Sequence, residues 1–208
     1  MHFRALAREI AESSKDFYAR GWVLGTSGNF SAVVCHEPLR LAITASGLDK
    51  GKIKPSQITE IDAAANVLRG APLKASAETL IHLAIVRERG AGAVLHTHST
   101  WSTVLSEAYA SQGAVVLEGY EMLKGLEGIH THQHTERLPI VENSQNMEEL
   151  SAEIAALLRK QPEMHGLLIR KHGLYTWGAN LRDARRHVEI IEFLMEVLVR
   201  SGSAANQG

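Results

Sequence analysis

Apolar residues recur at three- and four-residue steps over residues 2–20. Phe3, Leu6, Ala7, Ile10, Phe17 and Tyr18 predict an amphipathic helix, with Gly21 as its stop. From 25 to 70 that period is lost. Short apolar stretches at 41–44 and 66–68, punctuated by Gly25, Gly28, Gly47 and Gly51, predict strands and turns. A helical pattern returns over 76–89, with Leu80, Leu83, Ala84 and Arg87 in step. Ser76 suits its N-cap and Glu78 its first turn, where a carboxylate favours the helix dipole. A buried strand follows at 91–95, then a helix over 99–109 starting after Ser99, and strands at 114–117 and 138–141. Residues 146–160 carry Leu150, Ile154, Leu157 and Leu158 on one side of a helix. Strands are predicted at 166–169 and 174–177. A last helix over 181–200 turns Ile190, Ile191, Leu194, Val197 and Leu198 to the core, and the polar tail 201–208 is expected to fray. Strands and helices intermix along the whole chain without repeat or linker, which predicts one α/β domain over 1–208.

The 208 residues are 45% apolar and 22% charged, ordinary for a folded domain and wrong for a disordered one. A net charge of −1 gives no electrostatic reason to expect a nucleic acid or an anionic membrane as partner. No apolar run approaches the roughly 20 residues of a membrane span. Arg4, Arg8 and Glu9 interrupt the N-terminal segment, unlike the apolar core of a signal peptide. The single cysteine, Cys35, forms no internal disulfide, and a reducing cytoplasm fits it. One count is unusual: the 11 histidines equal Phe, Tyr and Trp combined.

His96-Thr97-His98 is the sharpest local feature. In an extended segment residues i and i+2 share a face, so two imidazoles can meet one metal ion while Thr97 points away. Two partly exposed strand-end histidines are the plainer reading. A catalytic zinc takes three protein ligands and keeps a position open. His172, in a turn beside Gly173, is the favoured third ligand, with glycine allowing a sharp turn there. His82 and His187 read instead as helix-face residues. The run His130-Thr131-His132-Gln133-His134 alternates in the same way but lacks an apolar strand before it. It reads as a polar loop or exposed strand that binds nickel or copper opportunistically.

Two carboxylates stand out as acid/base candidates, Glu78 in Ser76-Ala77-Glu78 and Glu121 in the segment 119–125, where Lys124 is its neighbour. Local sequence does not choose between them, nor between either role and an ordinary turn or helix-end carboxylate. Two small-residue turns, Gly25-Thr26-Ser27-Gly28-Asn29 and Thr44-Ala45-Ser46-Gly47, offer hydroxyls and free N–H groups to a phosphate. Taken singly, each is just a turn. Neither is a P-loop, and no GxGxxG is present.

In this order, these pieces resemble the class II aldolase/adducin head family over roughly residues 3 to 200. Residues 25–31, 44–47, 76–78, 92–98 and Lys171-His172-Gly173 carry the likeness. Segments 121–125, 139–143 and 170–178 place it nearest a dehydratase branch that acts on a methylthio-substituted sugar phosphate in methionine salvage. The resemblance implies a three-layer α/β/α fold around a largely antiparallel sheet, and a homotetramer. It implies one zinc per subunit on His96, His98 and His172, with Glu121 as acid/base. Phosphate would be held by Ser27, Gly28, Asn29, Ser46, Gly47 and Ser76, with Lys124 also in the substrate site. Ala77 stands where family aldolases often carry a second serine, and Glu78 matches the acid/base position of those aldolases. An aldolase or 4-epimerase on a short sugar phosphate is therefore the nearest rival. A non-catalytic scaffold and a metal-storage protein using 130–134 are rivals of other classes.

Overall fold

A computed structural model of the chain describes residues 3–70 and 75–205. The elements run α1 (Phe3–Ala19), β1 (Asn29–His36), β2 (Leu39–Thr44), β3 (Ile58–Asp62), β4 (Val67–Arg69), α2 (Thr79–Arg89) and β5 (Ala93–Thr97). They continue with α3 (Thr100–Ala108), β6 (Ala114–Glu118), β7 (Thr135–Val141), α4 (Met147–Lys160), β8 (Gly166–Ile169), β9 (Gly173–Gly178) and α5 (Leu181–Ala205). Among the described residues one sheet has the order β4-β3-β2-β1-β5-β9-β8-β7-β6. Every pairing in it is antiparallel except β7 with β8.

Side chains alternate across this sheet and build an apolar layer on each face. On one face Leu41, Ile43 and Val94 pack against Ile81 and Ile85 of α2 and Ile154 and Leu158 of α4. On the other, Phe30, Ala42 and Leu95 meet Ile10 and Phe17 of α1 and Val188 of α5. Toward the β6 edge, Leu117, Leu168 and Leu174 pack with Leu105 of α3 and Leu194 of α5. The molecule is a three-layer α/β/α sandwich. Each fully buried Leu or Ile contributes about 2 kcal/mol. These layers offset the cost of the polar groups buried at the centre of the sheet.

Four local differences from the sequence reading have physical causes. Strands β1 and β3 escape the apolar pattern because polar Asn29, Ser31, Thr59 and Glu60 are buried in them. Ser76 is not the N-cap of α2. Glu78 holds that position, and the Ser76 hydroxyl instead accepts the Glu78 N–H at 3.3 Å. Residues 201–205 do not fray but extend α5, while residues 2 and 206–208 lie outside the described residues. The β8–β9 turn, finally, does not use Gly173 for its backbone freedom. Lys171 takes the left-handed conformation, at φ 55. Gly173 is needed because a Cβ there would lie 2.0 Å from the Thr97 carbonyl oxygen.

That contact sets a test. Gly173→Ala forces the β5 and β9 strands apart and is expected to destabilise by about 3 kcal/mol. Gly202→Ala, in the open on α5 with nothing within 4 Å, is expected to be neutral or slightly stabilising. Urea denaturation of the two variants checks this, and equal midpoints would contradict it.

Candidate metal centre and substrate cavity

His96 sits near the C-terminal end of the central strand β5. Its partners across the sheet are Asn29 on β1 and Tyr175 on β9. Its imidazole is fully buried, and Tyr175 stacks on it at 3.9 Å between ring centres and 11° between planes. His96 Nδ1 donates to the Leu174 carbonyl at 3.0 Å. A carbonyl can only accept, so the ring proton is on Nδ1 and the Nε2 lone pair is free.

Three further groups converge on that lone pair. His98 Nε2 lies 2.8 Å from His96 Nε2, and His172 Nε2 lies 3.3 Å from it. Glu78 places Oε1 3.1 Å from His172 Nε2 and Oε2 3.5 Å from His96 Nε2. The donor atoms of Glu78, His96, His98 and His172 all lie within 4.8 Å of one another. Each has a separate anchor. The His98 N–H donates to the Trp22 carbonyl at 2.8 Å. Thr97, facing the opposite side, donates to Glu192 Oε1 of α5 at 2.8 Å, and burial pushes that carboxyl up to about 7. The β8–β9 turn carries His172, and the start of α2 carries Glu78.

Electrostatics suit a cation at this point. Burial holds His96 down to about 4, and burial with the neighbouring His96 and His172 rings holds His98 lower still. Both are neutral bases at neutral pH. Burial raises the Glu78 carboxyl, but His96, together with hydrogen bonds from His172 and Asn29, outweighs it and keeps the group ionised. Two ring nitrogens as close as those of His96 and His98 need a proton or a cation between them. An N3O donor set suits zinc and several other divalent ions. The four side chains therefore fit a divalent metal.

Behind them runs a buried polar chain. The Ser31 hydroxyl lies 2.7 Å from His82 Nδ1, His82 Nε2 meets Asn29 Oδ1, and Asn29 Nδ2 donates to Glu78 Oε2. The directions are forced: Asn29 Oδ1 only accepts, so His82 carries its proton on Nε2 and accepts from Ser31. Burial lowers His82 to about 4 and keeps it neutral. His82 thus lies on the sheet-facing side of α2 and orients Asn29 rather than joining the cluster. His187 on α5 is also outside it. There Nδ1 donates to the Trp177 carbonyl at 2.7 Å, and Nε2 accepts the Glu127 N–H at 3.2 Å.

The cluster opens into a cavity of about 330 Å³. Ser27, Gly28, Asn29, Ser46, Gly47 and Ser76 all line it, together with Glu78, His98 and His172. Gly28 has φ +72, and a Cβ there would come 2.7 Å from the His96 carbonyl oxygen, so no larger residue fits between the turn and the strand. Glu121 and Lys124 are not in this lining. They pair with each other at 2.6 Å on an exposed 3-10 turn, Glu121–Gly125, with the Glu121 side chain 72% exposed. The Lys124 hydrogen bond lowers the Glu121 carboxyl. His130, His132 and His134 lie in a loop leading into β7. His134 bonds the buried Glu136 at 3.0 Å, and His132 lies 3.8 Å from Glu121. Sequence reasoning read His82 as a helix-face residue, which it is, without its partners, and gave Tyr175 and Lys50 no role. Tyr175 is placed by strand register and His82 by the packing of α2 against β1, while Lys50 reads as one more charge in Asp49-Lys50-Gly51-Lys52.

Comparison with known proteins agrees with this architecture. The family model described as "Class II Aldolase and Adducin N-terminal domain" matches residues 8–199. The chain belongs to that family. It is 41% identical to a methylthioribulose-1-phosphate dehydratase of Sorangium cellulosum, over 96% of this chain and 94% of that protein. It is 44% identical to the protein of the same name from Methylococcus capsulatus, over 95% of each. Among solved structures, the L-fuculose-1-phosphate aldolase of Thermus thermophilus superposes with a TM-score of 0.78 at 23% identity, covering 99% of this chain and all of that one. This last likeness is one of fold.

The relay behind Glu78 carries a prediction. His82→Leu leaves all four candidate donors in place but frees Asn29 to rotate. Zinc affinity is expected to fall roughly 10-fold or more, as when a ligand's supporting partner is removed. Titration against a chromophoric chelator measures it, and wild-type affinity would contradict the relay.

Proposed function

We propose that the protein removes water from 5-methylthioribulose 1-phosphate, giving 2,3-diketo-5-methylthiopentyl 1-phosphate in methionine salvage. The observation that carries this reading is the convergence of three imidazoles and one carboxylate on a cavity lined by two small-residue turns. Relatives named as that dehydratase, matching nearly end to end, support it.

His96, His98 and His172 would hold one Zn²⁺, which would supply Lewis acidity for removal of the proton next to the substrate's carbonyl. Backbone N–H groups and hydroxyls of Ser27, Gly28, Asn29, Ser46, Gly47 and Ser76 hold the phosphate and fix the sugar chain in one register. Glu121 takes the C3 proton as general base and returns a proton to the C4 hydroxyl as it leaves as water. The resulting enol, with its double bond between C3 and C4, gains a proton at C4 and loses one from the C3 hydroxyl to become the diketone. Lys124 keeps Glu121 ionised and ready to accept.

Glu121 is solvent-exposed and outside the cavity of its own chain. We therefore place it in the cavity of a neighbouring subunit of a homotetramer, so that each site is completed between chains. Glu78 then acts locally, orienting His172 and Asn29. A specific observation favours a second assignment: Glu78 already touches two of the imidazoles. In that reading Glu78 moves the proton and Glu121 is a surface carboxylate. The single cysteine and the substrate both suit the cytoplasm.

Turnover of 5-methylthioribulose 1-phosphate should vanish on chelation and return with zinc. Glu121→Gln should retain metal and lose roughly 100-fold or more in kcat, the usual scale for a general acid/base. Full turnover in Glu121→Gln, with loss in a zinc-loaded Glu78→Gln, would transfer the role to Glu78. Release of a two- or three-carbon fragment would replace the dehydratase by an aldolase.

A further inference from the structure

Lys50 has no part in the account above, yet it lines the same cavity. It follows the second small-residue turn, and its side chain is 1% exposed. Its Nζ donates to the Thr26 carbonyl at 3.1 Å and the Leu48 carbonyl at 3.0 Å. Thr26 belongs to the first anion-binding turn, and Leu48 follows directly on the second. One ammonium therefore ties the two turns together. Its neighbour Lys52 is the contrast, with a side chain 86% exposed and 3.8 Å from Asp49.

Three observations give this ammonium a second use. First, two carbonyls occupy two of its three N–H donors. Second, among the described residues that line the cavity, Lys50 is the only lysine or arginine and Glu78 the only carboxylate. Third, Glu78 is engaged by Asn29, His96 and His172, and among the described residues Lys50 forms no ion pair. Asp49 and Glu78 favour this cation without pairing with it and offset its burial only in part, and an anion in the cavity relieves the rest. Burial pushes the amine down to about 8, which leaves it charged at neutral pH.

We infer that Lys50 is the counter-charge for the substrate's phosphate and sets the enzyme's preference for phosphorylated over unphosphorylated ketoses. This rests on the reading that the two turns hold the phosphate. Hydroxyls and N–H groups there orient the group but carry no full charge. Lys50 supplies it from beneath both turns at once, so charge recognition and loop geometry depend on one side chain.

The test separates these two duties. Lys50→Gln keeps donors for the two carbonyls and removes the charge, Lys50→Met removes both, and Lys50→Arg keeps charge. Inorganic phosphate is the probe, titrated calorimetrically into the metal-loaded, full-length protein. Both Lys50→Gln and Lys50→Met should weaken phosphate binding roughly 10- to 100-fold, the scale of a hydrogen bond to a charged group. Lys50→Arg should recover part of the loss, and Lys52→Met should show none. For Lys50→Gln, kcat/KM should fall by the same factor with 5-methylthioribulose 1-phosphate and stay within about twofold with 5-methylthioribulose. Unchanged phosphate affinity in a folded Lys50→Gln protein would overturn the inference. So would an equal loss with both ketoses, which would leave Lys50 as a loop tie only. Should Lys50→Met not fold, Lys50→Gln and Lys50→Arg decide alone. A wild-type protein that turns over neither ketose would instead defeat the dehydratase reading, while the phosphate titration still judges Lys50.

Discussion

The hydrogen bond from His96 Nδ1 to the Leu174 carbonyl is the constraint on which the candidate site depends. It fixes one tautomer and aims one lone pair at the point where His98, His172 and Glu78 meet. The bond spans β5 and β9, and it holds only because those strands pair closely, with Gly173 letting Thr97 pass. The chemistry at the cavity mouth thus rests on backbone register in the middle of the sheet. A loop-borne cluster would lack that rigidity. Here Glu78, His96 and His98 each have an anchor beyond the cluster, and all four residues lie within or directly beside a helix or strand.

The polar interior is organised as two chains of contacts on opposite faces of β5. On the α2 face, Ser31, His82 and Asn29 pass hydrogen bonds in one direction to Glu78. On the α5 face, Thr97 and Glu192 close off the back of the strand. Hydrogen bonds along each chain lower the cost of burying these groups, and the aliphatic layers offset the remainder. Asn29 serves two purposes: its side chain orients Glu78, while its backbone continues the turn that lines the cavity. Coupling of this kind explains why the two turns and the imidazoles sit within one cavity although they are distant in sequence.

Much of this was legible in the chain itself. The alternation of His96 and His98 after an apolar strand needs only the two-residue period of an extended backbone. The turns at 25–29 and 44–47, and most helices, follow from glycine placement and 3.6-residue periodicity. What escaped depends on pairing between distant segments. Asn29 faces His96 through the β1–β5 register, and no local pattern carries that information. His82 reads as a helix histidine because it is one. Its partners, Ser31 and Asn29, come from a strand 51 and 53 residues earlier. Lys50 hides within a charged tetrapeptide, and only burial distinguishes it from Lys52. Glu121 is the reverse case: its segment stands out in sequence, yet within one chain it remains at the surface.

The claim that most of the account shares is that His96, His98 and His172, with Glu78 beside them, form a single divalent-metal centre. Elemental analysis of the purified protein tests it most directly, with His96→Ala and a triple alanine variant of His130, His132 and His134 measured alongside. The account predicts one metal per chain in the wild type, one in the triple variant and none in His96→Ala. Metal that survives His96→Ala, or departs with the 130–134 histidines, would contradict it.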